Sequence, residues 1–566
     1  MNRPLATTRN DDPQPPMLVP AVEPVPLLTA LPVELLDEVL AHLGFWSLSL
    51  LWRADSTAFR RCLPDAGSVR EAWRQQAPIR SQRQMRRFSC GVAHTAAVVG
   101  DQLITWGFDD CSQCCRSRQP GSADDILPPG SANTLSLPSP VAHVACGGWH
   151  TLAVTRCGRL FACGRGAEGQ LGLGPDNMPM CAPAFVSVQI PVESVAGESA
   201  QEPGSTGDQA TVSYCAAGQV HSFAGTTGGA SGSGRLLWAW GSNEHGRCGV
   251  RASATNMAAA QAAENHYAPL PPAPQPFAAD AVQAAANASS DYLPLPEALA
   301  LVDDDEGGWC VPCPRPVHMP NHHHDSSDTA PPAAAGFLQI CAGFSHTLMV
   351  TSSGVLCSWG SGQYGKLGHR SQDGAREPKR IAALCDSHVT QAAAGTEHSV
   401  CVTKAGEAYT FGRGAGGRLG HYTSWNQSTP RALSFSLPVH AVACSAGPQH
   451  TVVVADCGSV YSFGKGKLLG TLDASGLQHH RSETRPVQVP LNRRKAPAIS
   501  FAIAAMSGSD HVVVAEDSAF GGEDVSIAGF SGWMWGERSE GQVPAASLLT
   551  PIQLTPIPFH LSASLL

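Results

Sequence analysis

Charge is scarce in this chain of 566 residues: Asp, Glu, Lys and Arg together make up 15%, and their balance is acidic at −9. Such a balance argues against a protein that coats nucleic acid. No apolar run reaches the roughly 18 residues of a membrane-crossing helix. The first residues also lack the apolar core of a secretory signal. No membrane partner is therefore expected, and the cytoplasm or nucleus is the expected compartment. There is no P-loop, no Gly-x-Ser-x-Gly elbow and no His-Glu-x-x-His. No catalytic residue, cofactor or metal is assigned, and the chain does not read as an enzyme. The 19 cysteines follow no regular disulfide spacing and read as reduced, small, buried side chains.

What the chain has is repetition. It holds 57 glycines and 44 prolines, which point to many turns and few long helices. One pentad, Gly-x-x-His usually followed by Thr or Ser, recurs at Gly91–His94, Gly147–His150, Gly218–His221, Gly343–His346, Gly395–His398, Gly447–His450 and Gly508–His511. A unit repeated in this way cannot bury its own apolar face and must stack on its neighbours. The best-formed copy starts at Gly343. Thr347–Thr351 reads as a strand, Ser352–Gly354 as a turn, Val355–Trp359 as a second strand and Gly360–Gly368 as a glycine-rich loop. Histidine spacings of 52, 52 and 61 across His346, His398, His450 and His511 suit one propeller blade each.

Segments of the form Pro-x-x-apolar lie between the cores, at Pro183, Pro378, Pro430 and Pro486, and again at Pro551. They read as outer strands, where proline loses no ladder bond. The first repeat has none ahead of it. The C-terminal segment is therefore expected to complete the first blade and seal the ring, removing two open sheet edges. Residues 251–335, rich in Pro and Ala and carrying the acidic run Asp303–Glu306, read as a disordered insertion from the third blade.

Several motifs invite a chemical reading. Gly164-x-Gly166-x-x-Gly169, Gly360-x-Gly362-x-x-Gly365 and Gly412-x-Gly414-x-x-Gly417 fit the dinucleotide fingerprint. None opens an amphipathic helix, whose N-terminus a phosphate site requires, so they read as turns. The pentad histidines recur symmetrically, and each is expected to bond backbone within its own blade. Cys310-x-x-Cys313, with His318 and His322–His324, resembles a metal-ligand set, but its pairs lie closer together than those of a zinc finger.

The N-terminal part is different. Residues 1–26 read as a disordered tail and 27–80 as a small helical domain. Leu35, Leu36, Val39, Leu40 and Leu43 form one stripe of a helix opened by Pro32. A second helix is predicted over Ser47–Arg61 and a short third over Ser68–Gln76, followed by a basic connector at Arg80, Arg83, Arg86 and Arg87.

Strings such as AGFSHTLMVTSSGVLCSWGSGQYGKLGH and CGGWHTLAVTRCGRLFACGRGAEGQLGLG resemble repeats of the regulator of chromosome condensation family. The resemblance implies a mainly β fold, a seven-bladed β-propeller over residues 81–558. LPVELLDEVLAHLGFWSLSLLWRADSTAFRRCL resembles an F-box, departing from it at Ala54–Asp55. That resemblance implies docking on a Skp-type adaptor of a cullin ubiquitin ligase through Leu31, Pro32, Leu35, Leu36, Val39, Leu40, Leu43 and Leu48. The propeller would then hold a protein target that the sequence does not name. Two other functions compete. One is guanine-nucleotide exchange on a small GTPase, as in the propeller family's founding member. The other is a light sensor like the plant ultraviolet-B receptor, which clusters tryptophans. Here only Trp149 occupies the relevant pentad position; Val220, Ser345, Glu397 and Gln449 fill it elsewhere.

Overall fold

In the computed structural model, the described residues are 66–99, 101–115, 126–127, 133–191, 210–226, 236–250, 310–317, 336–471, 481–491, 501–509, 511–517, 532–536 and 552–554. The F-box-like residues Leu31–Leu48 and the tail 1–26 lie outside them. Seven antiparallel sheets, each a meander, follow one another along the chain. Their inner strands are Phe88–Cys90, Val141–Cys146, Val212–Ala217, Phe337–Ala342, Val389–Ala394, Ala441–Ala446 and Phe501–Ser507. Each begins one blade, and the blades close a seven-membered ring around an axial channel. The compact unit Trp73–Leu566 holds all of them.

The second strand of each blade is buried on both faces, which is why it reads as a continuous apolar run. In blade four, Leu348 and Val350 join the cluster with Val389 and Phe411 of blade five. Met349, pointing the other way, joins Phe223 and Leu237 of blade three. The core is thus a series of seams between blades, and each such side chain contributes about 1.5–3 kcal/mol by burial.

The motif glycines follow from the seams. Gly172, Gly249, Gly368, Gly420 and Gly470 end the glycine loops. A Cβ on any of them would meet Trp240, Trp359, Phe411, Phe463 or Trp535 of the next blade. The pentad glycines make room for their own histidine: a Cβ on Gly447 would lie 2.2 Å from His450 Cε1.

The histidines correct the sequence expectation, because they bond across seams and not within a blade. Nε2 of His94 meets Thr151 Oγ1 at 3.0 Å, His150 meets Ser222 at 2.8 Å, and His221 meets Thr347 at 3.3 Å. His346 meets Ser399 at 2.9 Å, His398 meets Thr451 at 2.8 Å, and His511 closes the ring on Thr95 at 2.8 Å. The hydroxyls of Thr151, Ser222, Thr347, Ser399 and Thr451 donate to loop carbonyls of Gln113, Gln170, Arg247, Lys366 and Arg418. They therefore accept from the imidazole, and the proton sits on Nε2.

Nearer the axis a second belt ties inner strands together. Cys215 N–H donates to His143 Nδ1 at 3.1 Å. Tyr214 OH both receives from Ile340 N and donates to Ile340 O. Gln339 and Gln391 bracket both backbone groups of Ala392 and Cys444.

Three further expectations are corrected. The C-terminal strand Ile552–Leu554 pairs with Gly532–Gly536 of blade seven, so it does not complete blade one. Blade one finds its outer strands in Ile126–Leu127 and Asn133–Leu135, and the ring closes by side chains and by Ser509 N donating to Val92 O. The insertion is narrower than 251–335, because Cys310–Pro316 is the outer strand of blade three, paired with Leu236–Ser242. The helix expected over 68–76 runs over Ala66–Met85 (α1) and through Pro78. Tertiary anchors on both sides of the proline offset its cost: Trp73 Nε1 donates to Asp456 O at 2.8 Å, Arg74 pairs with Asp456 at 3.0 Å, and Gln82 donates to Thr390 O.

One seam lacks its hydroxyl. Blade seven carries Val512 where the other blades carry Thr or Ser, and His450 Nε2 is left buried without a partner. We expect Val512→Thr to supply it and to stabilise the fold by about 1 kcal/mol, read as a raised midpoint in chemical denaturation. A lowered midpoint would contradict this account of the seam.

Candidate functional site

The ring has two ends. Pentad turns and glycine loops gather at one, the loop face; α1 and the turns after the second strands lie at the other. On the loop face each glycine loop carries a polar residue just ahead of its buried Leu or Cys: Gln170, Arg247, Lys366 and Arg418 in blades two to five. The cations point inward. Arg247 donates to Phe344 O at 3.0 Å and Arg418 to Pro448 O at 2.8 Å, each on the pentad turn of the following blade. Lys366, 2% exposed, donates to Ser345 Oγ at 2.7 Å. Burial pushes its ammonium down to about 8, while the Glu397 carboxylate acts in the opposite sense. Arg247 and Arg418 are seam ties and Lys366 is held within its own blade, all three lying beneath the surface.

What the face offers to a partner lies above them, in blades four and five. Phe344 is 43% exposed, Tyr422 56% and Trp425 78%. The Arg413 guanidinium lies 4.8 Å from the Tyr364 ring centroid. Its charge and that of Arg418 converge on Glu397 at 2.7 and 3.1 Å. Exposed aromatics beside a partly satisfied ion cluster are the usual make-up of protein-binding patches. In blade two, Trp149 lies under Arg165 at 5.8 Å, and no second tryptophan shares its pentad position.

The remaining candidates are accounted for. Cys310 and Cys313 sit three apart on an extended strand, so their side chains leave opposite faces, and Cys310 Sγ is taken by Glu168 O. No metal-binding group of three His, Cys, Asp or Glu occurs among the described residues; His318 and His322–His324 lie outside them. Cys111 interacts with Cys181, and Cys115 with Cys163. The glycine loops with the dinucleotide spacing lead into single turns or none, and their last glycines lie against the backbone or side chains of Cys310–Pro312, Ser428 and Glu483–Thr484.

Through the ring runs the axial channel, with a cavity of about 160 Å³ lined by inner strands and by Gln82, Met85 and Arg86 of the α1 end. A shallower cavity of about 110 Å³ at the loop face shares Cys90, Cys146, Ala217, Ala342, Ala394, Ala446 and Ser507 with it. The two adjoin at this ring of seven residues, one from each inner strand.

Comparison with known proteins agrees with this architecture. The sequence profile of the regulator of chromosome condensation repeat matches residues 157–224, 353–402 and 405–454, and a second profile of that repeat matches 141–170. The chain is 39% identical over 130 residues to the human E3 ubiquitin-protein ligase HERC2, a match covering 22% of this chain and 3% of that protein. It is 24% identical over 392 residues to the ultraviolet-B receptor UVR8 of Arabidopsis thaliana, covering 68% of this chain and 78% of the receptor. The crystal structure of human WBSCR16 superposes with a TM-score of 0.54 at 17% identity, over 80% of this chain and 94% of that one. The protein is a seven-bladed β-propeller. It carries regulator of chromosome condensation repeats over residues 141–224, 353–402 and 405–454.

The seven pentad histidines are neutral scaffolding. Burial holds His94, His150 and His450 down at about 3 and His511 at about 4. It sets His221, His346 and His398 well below their ordinary value, with neighbouring cations adding to the effect. Unfolding raises each toward about 6.5, so below that pH the unfolded chain binds protons that the folded chain refuses. The stability they support is complete above pH 6.5 and is lost as pH falls toward the folded values. One unit below 6.5 the loss is about 1.4 kcal/mol per histidine. Thermal midpoints should be level from pH 8 to 7 and fall steeply between 6.5 and 5; a level midpoint down to pH 5 would refute neutral burial.

Proposed function

We propose that this chain is a target-recruiting subunit of a cullin-type ubiquitin ligase. The propeller binds the target protein, and the F-box-like segment docks on a Skp-type adaptor. The observation that carries the reading is the loop-face patch of Phe344, Tyr422, Trp425 and Arg413: large side chains left in water on a ring whose other aromatics are mostly buried. The similarity to HERC2, itself a ubiquitin ligase, supports a propeller in that setting, as does the apolar stripe Leu35, Leu36, Val39, Leu40 and Leu43 ahead of it. The chain supplies no catalytic residue in this scheme. It accelerates transfer by holding the target near the ligase's active subunits, in the cytoplasm or nucleus.

The full-length protein should co-purify with a Skp-type adaptor, and Leu36→Asp with Leu40→Asp should abolish that recovery. Central apolar anchors of this kind are each worth about 2 kcal/mol or more. Trp425→Ala with Phe344→Ala should leave adaptor recovery intact while reducing capture of the target. Nucleotide release from a small GTPase by the full-length chain, with no adaptor recovered, would favour the exchange-factor reading instead.

A further inference from the structure

Among the described residues, the lining of the axial channel includes no Asp or Glu, and its one cation is Arg86, at the end of α1. The Arg86 guanidinium stands 5.6 Å from the Tyr214 ring centroid, and no carboxylate pairs with it among the described residues. Other donors line the same cavity. His143 takes the Cys215 N–H on Nδ1. Burial and the charge of Arg86 hold its ring neutral, at about 3, so its proton lies on Nε2 as a donor. Ser507 Oγ is buried with no hydrogen-bond partner. Ser89 Oγ accepts from Cys146 N.

We propose that the channel is a blind-ended binding site for a small tetrahedral oxyanion, entered from the loop face. Three features support the assignment. The first is shape: Gln82, Met85 and Arg86 line one end, while the other end adjoins the loop-face cavity across seven shared residues. The second is size, since a cavity of about 160 Å³ resembles ones that hold a small organic molecule and is ample for phosphate. The third is charge. A guanidinium presents several donors in one plane to an oxyanion, and among the described residues no carboxylate in the channel lining offsets that charge. Arg86 also favours the C-terminal end of α1, a role that any cation there would fill and that needs no cavity.

The test is calorimetric titration of the full-length chain with inorganic phosphate at constant ionic strength, with chloride as control. One saturable site is expected with phosphate and none with chloride. Arg86→Gln should weaken phosphate about tenfold or more, the loss of a charge-assisted contact, while Arg413→Gln on the loop face leaves it unchanged. Ser507→Ala should weaken it less. Should Arg86→Gln fail to fold, Arg86→Lys keeps the charge and removes the fork, and an intermediate loss is expected from it. Absence of a saturable phosphate signal, or equal affinity in the Arg86 variants, would overturn the proposal.

Discussion

A neutral imidazole in each blade, sealed from water and at six of the seven seams held by a hydroxyl of the next blade, is the constraint from which the rest of the ring follows. The ring nitrogens lie deep enough that a charged form is excluded, so the belt is one of neutral hydrogen bonds, each contributing about 1 kcal/mol net. Its larger effect is on register. The imidazole needs a glycine three positions earlier to make room for it, and the hydroxyl must follow the next blade's histidine directly. The hydroxyl in turn needs a loop carbonyl to receive its proton. Once those positions are set, the apolar faces of neighbouring second strands meet in one arrangement, and in blades three to seven the aromatic of the third strand rests on the glycine that ends the preceding loop.

Much of this was legible in the sequence. The blade number, the strand–turn–strand–loop order and the outer-strand prolines follow from periodicity and turn chemistry. What was not legible was the partner of each repeated group. A histidine recurring every blade shows that it is structural. It does not show whether its bond stays inside the blade, because repetition looks the same either way. Closure misled for a related reason. Blade one has no proline-marked strand ahead of it, and Pro551–Leu554 looked like the missing piece. Blade one instead draws short outer strands from its own following loop, a segment with weak strand patterning. Cys310–Pro316 was hidden by its three prolines, which an outer strand tolerates and a composition scan reads as disorder. Pro78 misled in the opposite direction, since anchors far off in sequence, Asp456 and Thr390, hold α1 through it.

The candidate site was less legible than the fold. Basic residues in the glycine loops look available in sequence, yet Arg247 and Arg418 are spent on seam contacts and Lys366 on the pentad turn of its own blade. The exposed side chains Phe344, Tyr422 and Trp425 occupy positions that vary from blade to blade, where a repeat alignment sees noise. Function in a ring of this kind belongs to the positions at which the repeats disagree.

Three of the matched repeats begin and end in mid-blade: 353–402 takes the third and fourth strands of blade four and the first two of blade five. Each hereditary unit therefore carries a joint and not a petal, with both sides of the joint copied together. Duplicating or losing one such unit changes the girth of the ring without breaking any mating surface. The joint between blades seven and one is the exception, since the chain does not lead from blade seven into blade one and no single copied segment spans it. It behaves as the split in a spring washer, the one place where the circle can be parted without cutting the thread.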